Sequence, residues 1–163
     1  EMVSLGEETL APYVKPDAHG NPLFELPGKA SRPLPYLAYA QGAYLGQMVE
    51  LILKRCVAPV HFDRVYETDM AEGLKAMAIE GHGIAFLPLS AVQKDLRARR
   101  LVSAAPPELK DLQINMEVRI YRERPGAREL HRSTSHTGRQ GGDPHKSNAQ
   151  ALWDYLLVHG SSL

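Results

Sequence analysis

The sequence predicts an α/β fold on a mainly parallel sheet, and two features lead there. Short apolar runs rich in β-branched and aromatic residues alternate with segments whose apolar side chains recur at helical spacing. Glycine and proline stand at the junctions, where helices and strands must stop. No internal repeat is visible.

The first 35 residues read as extended and turn-rich. After a strand-like Met2-Val3-Ser4, the run Lys15-Pro16-Asp17-Ala18-His19-Gly20-Asn21-Pro22 holds residues that favour turns through fixed or positive φ. Leu34-Pro35-Tyr36-Leu37-Ala38-Tyr39 reads as a short buried strand. Leu45, Met48, Val49, Ile52, Leu53 and Cys56 then fall on one face of a helix over 43–56, and Pro59 prevents its simple continuation. Phe62 to Tyr66 is the next strand.

Thr68 or Asp69 is expected to cap a second helix, in which Met70, Leu74, Met77 and Ala78 share one face. Gly81 supplies the helix exit, and Gly83 opens the strand Ile84-Ala85-Phe86-Leu87. A third helix runs from about Ser90 to Ala98, its arginine-rich last turn suiting the negative end of the dipole. Leu101-Val102 is a short strand, and Ile114 to Tyr121 alternates as a half-buried one. Residues 125–148 carry almost no apolar side chain and are expected to be a mobile or long surface loop. The final helix, Ala149 to His159, is expected to present Leu152, Tyr155 and Leu156 to a core with Trp153 beside them.

The chain has 163 residues, 44% hydrophobic and 23% charged, which suits one globular domain or two small lobes. Nineteen basic side chains balance nineteen acidic ones, for a formal net charge of zero. A nucleic-acid-binding surface ordinarily brings a basic excess, so this stretch is not expected to bind DNA itself. The single cysteine, Cys56, excludes an internal disulfide and points to a reducing compartment. No apolar run approaches the roughly 18 residues of a membrane span, and no secretion signal opens the chain. The start at Glu1, straight into a strand-like segment, reads as a fragment of something longer.

The most informative stretch runs Thr68-Asp69-Met70-Ala71-Glu72-Gly73-Leu74-Lys75-Ala76-Met77-Ala78-Ile79-Glu80-Gly81-His82-Gly83-Ile84-Ala85-Phe86-Leu87-Pro88. It combines a capped helix, a Gly-x-Gly-Ile-Ala turn and strand, and a Leu-Pro pair, and Arg99-Arg100-Leu101-Val102 follows. Leu34-Pro35-Tyr36-Leu37 precedes it, and Ala151-Leu152-Trp153-Asp154-Tyr155-Leu156 closes the chain. In this order the series resembles the effector-binding domain of LysR-type transcriptional regulators, over residues 2–124 and 148–157. Asp17-Ala18-His19-Gly20-Asn21-Pro22-Leu23-Phe24, Tyr44-Leu45-Gly46 and Gly83-Ile84-Ala85-Phe86-Leu87-Pro88 look most like its hypochlorite-responsive branch.

The resemblance implies two α/β lobes like those of type II periplasmic binding proteins, with an effector in the cleft between them. By that map, residues 1–33 cross from the first lobe and 34–103 form the second. Residues 104–124 hold the return strand, 125–148 a flexible loop longer than is usual, and 149–163 the C-terminal helix of the first lobe. The family's winged helix-turn-helix, linker helix and opening half of the first lobe then lie outside this chain, and DNA is reached only through them. The resemblance also implies a cytoplasmic, non-enzymatic homo-oligomer, without cofactor or membrane association. A small-molecule effector or an oxidant would change lobe closure or helix packing and reorient the DNA-binding heads. A solute-binding protein of the same two-lobe type is the alternative.

The residues themselves favour binding over catalysis. No serine stands in a nucleophile elbow, and Cys56 lies on an apolar helix face as a small core residue. His131, His136 and His145 lack zinc-type spacing, so no metal is expected. Two helices begin directly after strand ends, where open α/β sheets place ligands and helix N-termini offer unpaired N–H groups. That singles out Gln41, Gly42 and Ala43 at one helix and Thr68 and Asp69 at the other; capping and ligand contact are compatible roles for the last two. By the family map Phe86 and Pro88 wall the cleft, although core packing accounts for Phe86 equally well. His82 is expected to be solvated, and Arg97, Arg99 and Arg100 to be a solvated helix end.

Methionine oxidation turns a flexible apolar thioether into a polar sulfoxide. Met70 aligns with a methionine of the hypochlorite-responsive branch and opens a helix at the presumed cleft edge. A second methionine of that branch falls on Leu45 here, and Met48, one turn away on the same face, is the candidate substitute.

Overall fold

The structure is a computed structural model describing residues 2–122 and 148–159. Its strands are β1 (Met2–Val14), β2 (Leu34–Tyr39), β3 (Phe62–Thr68), β4 (Ile84–Pro88), β5 (Val102–Ser103) and β6 (Ile114–Tyr121). Its helices are α1 (Tyr44–Arg55), α2 (Ala71–Glu80), α3 (Leu89–Arg97) and α4 (Asn148–His159). The segment 125–148, expected to be a loop, lies outside the described residues except for Asn148, which opens α4.

The six strands form one sheet in the order β3-β2-β4-β1-β5, with β6 pairing β1 off this path. β3, β2 and β4 are parallel, as the alternation of strands and helices requires. The expected mainly parallel sheet is in fact mixed, because β1 runs antiparallel to both β4 and β5. β1 pairs Leu10 with Pro88 and Tyr13 with Ala85, which places its buried half, Leu10–Val14, in the middle of the sheet. An antiparallel neighbour needs no helical crossover, so strand–helix alternation carries no signal for it.

Internal contacts divide the chain into two compact units, Glu8–Met116 and the remainder, Glu1–Glu7 with Glu117–Leu163. In the larger unit, Leu10, Val14, Leu37, Ile52, Leu74, Ile84, Phe86, Leu87 and Leu101 are fully buried around β2, β4 and β1. Both faces of β4 are covered, which is why Ile84-Ala85-Phe86-Leu87 is a continuous apolar run. Gly83 is required just before it, because a Cβ there would stand 2.7 Å from the Pro35 carbonyl oxygen. α1 buries Val49 and Ile52 and presents Leu45, Met48, Leu53 and Cys56 to the same core. α2 buries Leu74 and Ala78 and ends at Gly81, whose φ of 90° is the left-handed conformation that glycine adopts without strain.

At the end of α3, Arg97, Arg99 and Arg100 are exposed, in line with the expected solvated helix end, but one of them has a buried partner. Asp95 of α3 is 4% exposed and receives Nε and Nη2 of Arg100 at 2.8 and 2.6 Å. Arg100 thus neutralises a buried carboxylate while its own side chain stays largely in solvent. Arg99 takes a left-handed φ of 52° to turn the chain there.

In the smaller unit, the inner face of α4 is not the expected one. Leu152 and Tyr155 are exposed, whereas Trp153 is 7% exposed and lies under the Arg122 guanidinium, 4.9 Å from the ring centre. A cation over an indole face is a strong anchor, and it sets which side of this apolar helix turns inward. Among the described residues no helix is long and apolar enough to cross a membrane.

Candidate functional site

The carboxyl ends of β2 and β3 lie side by side, paired in register through Tyr39 and Thr68. Ala40 N–H continues the ladder by donating to the Thr68 carbonyl at 2.9 Å. The chain then turns through Gln41 and Gly42, the glycine with φ of 86°, into Ala43 at the N-cap of α1. On the neighbouring strand, Thr68 leads through Asp69 to Met70 at the N-cap of α2. Gln41, Gly42, Ala43, Thr68, Asp69, Met70 and the half-buried Pro88, which closes β4, thus all stand at one end of the parallel strands.

The capping differs from expectation. Neither Thr68 nor Asp69 is the N-cap of α2; that position belongs to Met70, and no side chain caps α1 or α2. Thr68 acts one step earlier, its Oγ1 accepting the Met70 N–H at 3.3 Å. Gly73 N–H donates to the Met70 carbonyl at 3.1 Å, which leaves the N–H groups of Ala71 and Glu72 on α2, and of Tyr44 and Leu45 on α1, for solvent or a bound molecule. Met70 is 63% exposed, whereas Met48 is half-buried against the core.

Phe86 is not at this surface. It is fully buried, edge-on to Tyr36 and Phe62 with ring centres 6.3 and 6.4 Å away, and its carbonyl accepts the Tyr39 hydroxyl at 3.0 Å. Because β4 is covered on both faces, its apolar run carries no information about which side chain could reach a cleft.

A cavity of about 340 Å3 opens at Gln41, Gly42 and Ala43 and continues between α1 and β3. Tyr36, Glu50 and Arg64 line it, none of them marked as a site residue by its local sequence. Tyr36 stands opposite Arg64 in the β2–β3 register, a pairing no local pattern reveals. Burial pushes the Tyr36 phenol up to about 12, with Arg64 pulling it down and Glu50 pushing it up. Tyr39 is raised as well, by burial and then by Tyr36. A second groove of about 690 Å3 lies between α2 and α3, where Lys75 reaches Glu72 at 2.7 Å and the Ala91 carbonyl at 3.2 Å. Its one buried charge, Asp95, is already answered by Arg100. Among the described residues no group of His, Cys, Asp and Glu is placed to hold a metal ion.

The profile of the LysR substrate binding domain matches residues 1–158. The chain belongs to this LysR domain family. The HTH-type transcriptional regulator YjiE of Escherichia coli (strain K12) is 35% identical over 109 residues, 67% of this chain and 35% of that protein. The HTH domain-truncated transcriptional regulator QseD of Escherichia coli O157:H7 is 34% identical over the same length, 43% of that protein. The LysR-family chain thus spans a minor part of the curated relatives it matches. Among solved structures, the apo regulatory domain of HypT from Salmonella typhimurium superposes with a TM-score of 0.75 at 24% identity, covering 100% of this chain and 66% of that one. LysG from Corynebacterium glutamicum with bound effector Arg superposes at 0.55 with 25% identity, covering 82% and 43%. These likenesses establish that the chain shares the fold of LysR regulatory domains over the part it covers.

Proposed function

We propose that this chain is the signal-sensing portion of a LysR-type transcription regulator, receiving a small-molecule effector or an oxidant where β2 and β3 end. The observation that carries this reading is the hydrogen bond from Ala40 to Thr68, which joins the two strand ends leading into the uncapped helices α1 and α2. A group bound to one helix N-terminus is thereby coupled to the other. The family match supports a regulator over a solute-binding protein, as do relatives named as transcriptional regulators. On this reading the larger unit is the second lobe, and the smaller unit is the return portion of the first. DNA is contacted by a head that this chain does not contain, in a homo-oligomer in the cytoplasm.

The oxidant version of the proposal rests on Met70. Its exposure makes the thioether reachable, and its N-cap position makes the product consequential. Hypochlorite transfers its oxygen to the sulfur and leaves as chloride, and the resulting sulfoxide is a polar acceptor. An acceptor at an N-cap can take up a first-turn N–H, which a thioether serves poorly. Met48, half-buried on α1, is the second candidate. HypT, whose full-length structure is described as that of a hypochlorite-specific LysR-type regulator, supports this branch by fold. Peptide mass spectrometry after a limited dose of hypochlorite tests it. Met70 is expected to be oxidised before the partly buried Met77, with amide shifts at Thr68, Ala71 and Glu72. An unmodified Met70 after Met77 has reacted removes the oxidant version and leaves the effector version.

A further inference from the structure

The cavity between α1 and β3 has walls of two kinds. Its floor is apolar, made by Val49, Leu53 and the Tyr36 ring, which stacks on Phe62 at 4.4 Å. Its polar groups are unevenly satisfied. Arg64 and Glu67 at the rim pair with each other at 2.7 Å, so their charges cancel. Glu50 has neither an ion pair nor a hydrogen bond among the described residues, which leaves the cavity one net negative charge. The Tyr36 hydroxyl also has no hydrogen-bond partner among them, although the residue is only 8% exposed. The hydroxyl oxygen itself is not sealed from solvent, so at the wall of the cavity it is open to a bound donor. Both Glu50 and Arg64 act electrostatically on this phenol, which puts it within reach of the same charges.

We propose that this cavity binds a small organic ammonium with an apolar body. The ammonium donates to the Glu50 carboxylate and the Tyr36 hydroxyl oxygen, while the apolar body lies on Val49 and Leu53. Glu50 only accepts and the phenol oxygen is able to accept, an ammonium supplies only donors, and a carboxylate would meet Glu50 as a like charge. The volume of about 340 Å3 lies at the lower end of the range for small-molecule sites. The inference stands on the cavity alone and does not depend on what signal the chain transmits.

The test is an amide chemical-shift titration of the 163-residue chain with three probes of one shape: phenethylammonium, phenethyl alcohol and phenylacetate. Saturable shifts at Gly42, Gly46 and Glu50 are expected with the ammonium, which binds about tenfold or more tightly than the alcohol. Phenylacetate is expected to leave those amides unmoved. Glu50→Gln is expected to abolish the preference for the ammonium, and Tyr36→Phe to weaken binding severalfold. Equal binding of the three probes overturns the proposal, as does ammonium binding that Glu50→Gln leaves intact. Shifts of these amides that depend on protein concentration without any probe also overturn it, since a second copy would then cover the cavity. Should Tyr36→Phe unfold the chain, the surface variant Glu50→Gln decides alone.

Discussion

Thr68 accepts the N–H of Ala40 through its carbonyl and the N–H of Met70 through its hydroxyl, so a single residue ties the exit of β2 to the entrance of α2. Its Cγ2 also packs 3.3 Å from where a Cβ on Gly73 would stand, which explains the glycine in the first turn of that helix. Thr68→Ala keeps the carbonyl bond and removes the hydroxyl bond to Met70. The expected cost is about 1 kcal/mol, the scale of a lost capping bond, read as a lower urea midpoint with unchanged slope. Thr68→Ser is expected to recover most of it, because the hydroxyl rather than the methyl serves Met70.

Gly83 is expected to be the least replaceable glycine of the larger unit. A Cβ there meets the Pro35 carbonyl oxygen at 2.7 Å and its carbon at 3.0 Å, both of them backbone atoms that cannot swing aside. β2 and β4 pair directly at Tyr36 and Ile84, so the strands would have to separate at their register point. Gly83→Ala is expected to cost about 2 kcal/mol or more by thermal or urea unfolding. Gly42→Ala meets no atom within 4 Å and pays only for its positive φ, so it is expected to cost less than Gly83→Ala.

The sequence is most legible where local chemistry decides. α1 begins and ends within a residue of its expected bounds, because Gly42 turns the chain before it and its apolar spacing stops at Cys56. α2 ends at Gly81 for the same kind of reason. β1 was legible only as extended chain. It is 13 residues long and carries Pro12, a residue that argues against a central strand, yet it is seated between β4 and β5. Its place is decided by partners about 75 to 90 residues away in the chain, not by its own pattern. Phe86 shows a second limit: in a strand buried on both faces, period cannot separate core from cleft. Asp95 could have been found, since a lone carboxylate among the apolar positions of α3 with Arg100 just past the helix end is a pairing signal.

The Asp95–Arg100 pair is expected to be asymmetric when broken. Arg100→Ala leaves a carboxylate whose side chain is 6% exposed without its partner, and a buried charge stripped in this way is costly. Because the Arg100 side chain is itself 57% exposed, water softens the loss, and about 2 kcal/mol is expected in place of the larger cost of a fully buried pair. Arg100→Lys is expected to recover only part of it, since one ammonium cannot reproduce both the Nε and Nη2 contacts.

Alkaline titration is expected to report the buried tyrosines. The Tyr36 phenol sits at about 12 in the folded chain against an ordinary value of 10.0. A group raised on folding contributes stability that is fully present below its unfolded value and is lost as pH rises through the folded one. Stability is therefore expected to fall between pH 10 and about 12, with phenolate absorbance appearing late for this residue. Tyr36→Phe is expected to remove its share of both effects, and an unchanged stability profile in that variant would contradict the assignment.

The most direct measurement is the transcriptional output of a full-length regulator carrying this chain, before and after its effector or a limited dose of hypochlorite. It compares the natural chain with Met70→Leu and with the double change Gln41→Ala, Thr68→Val. The expected result is that the natural chain switches, while one of the variants is expressed and bound to its operator but no longer responds. Loss in Met70→Leu alone assigns the signal to oxidation, and loss in the double variant assigns it to a ligand at the strand ends. Switching that persists unchanged in both variants would contradict signal entry where β2 and β3 end.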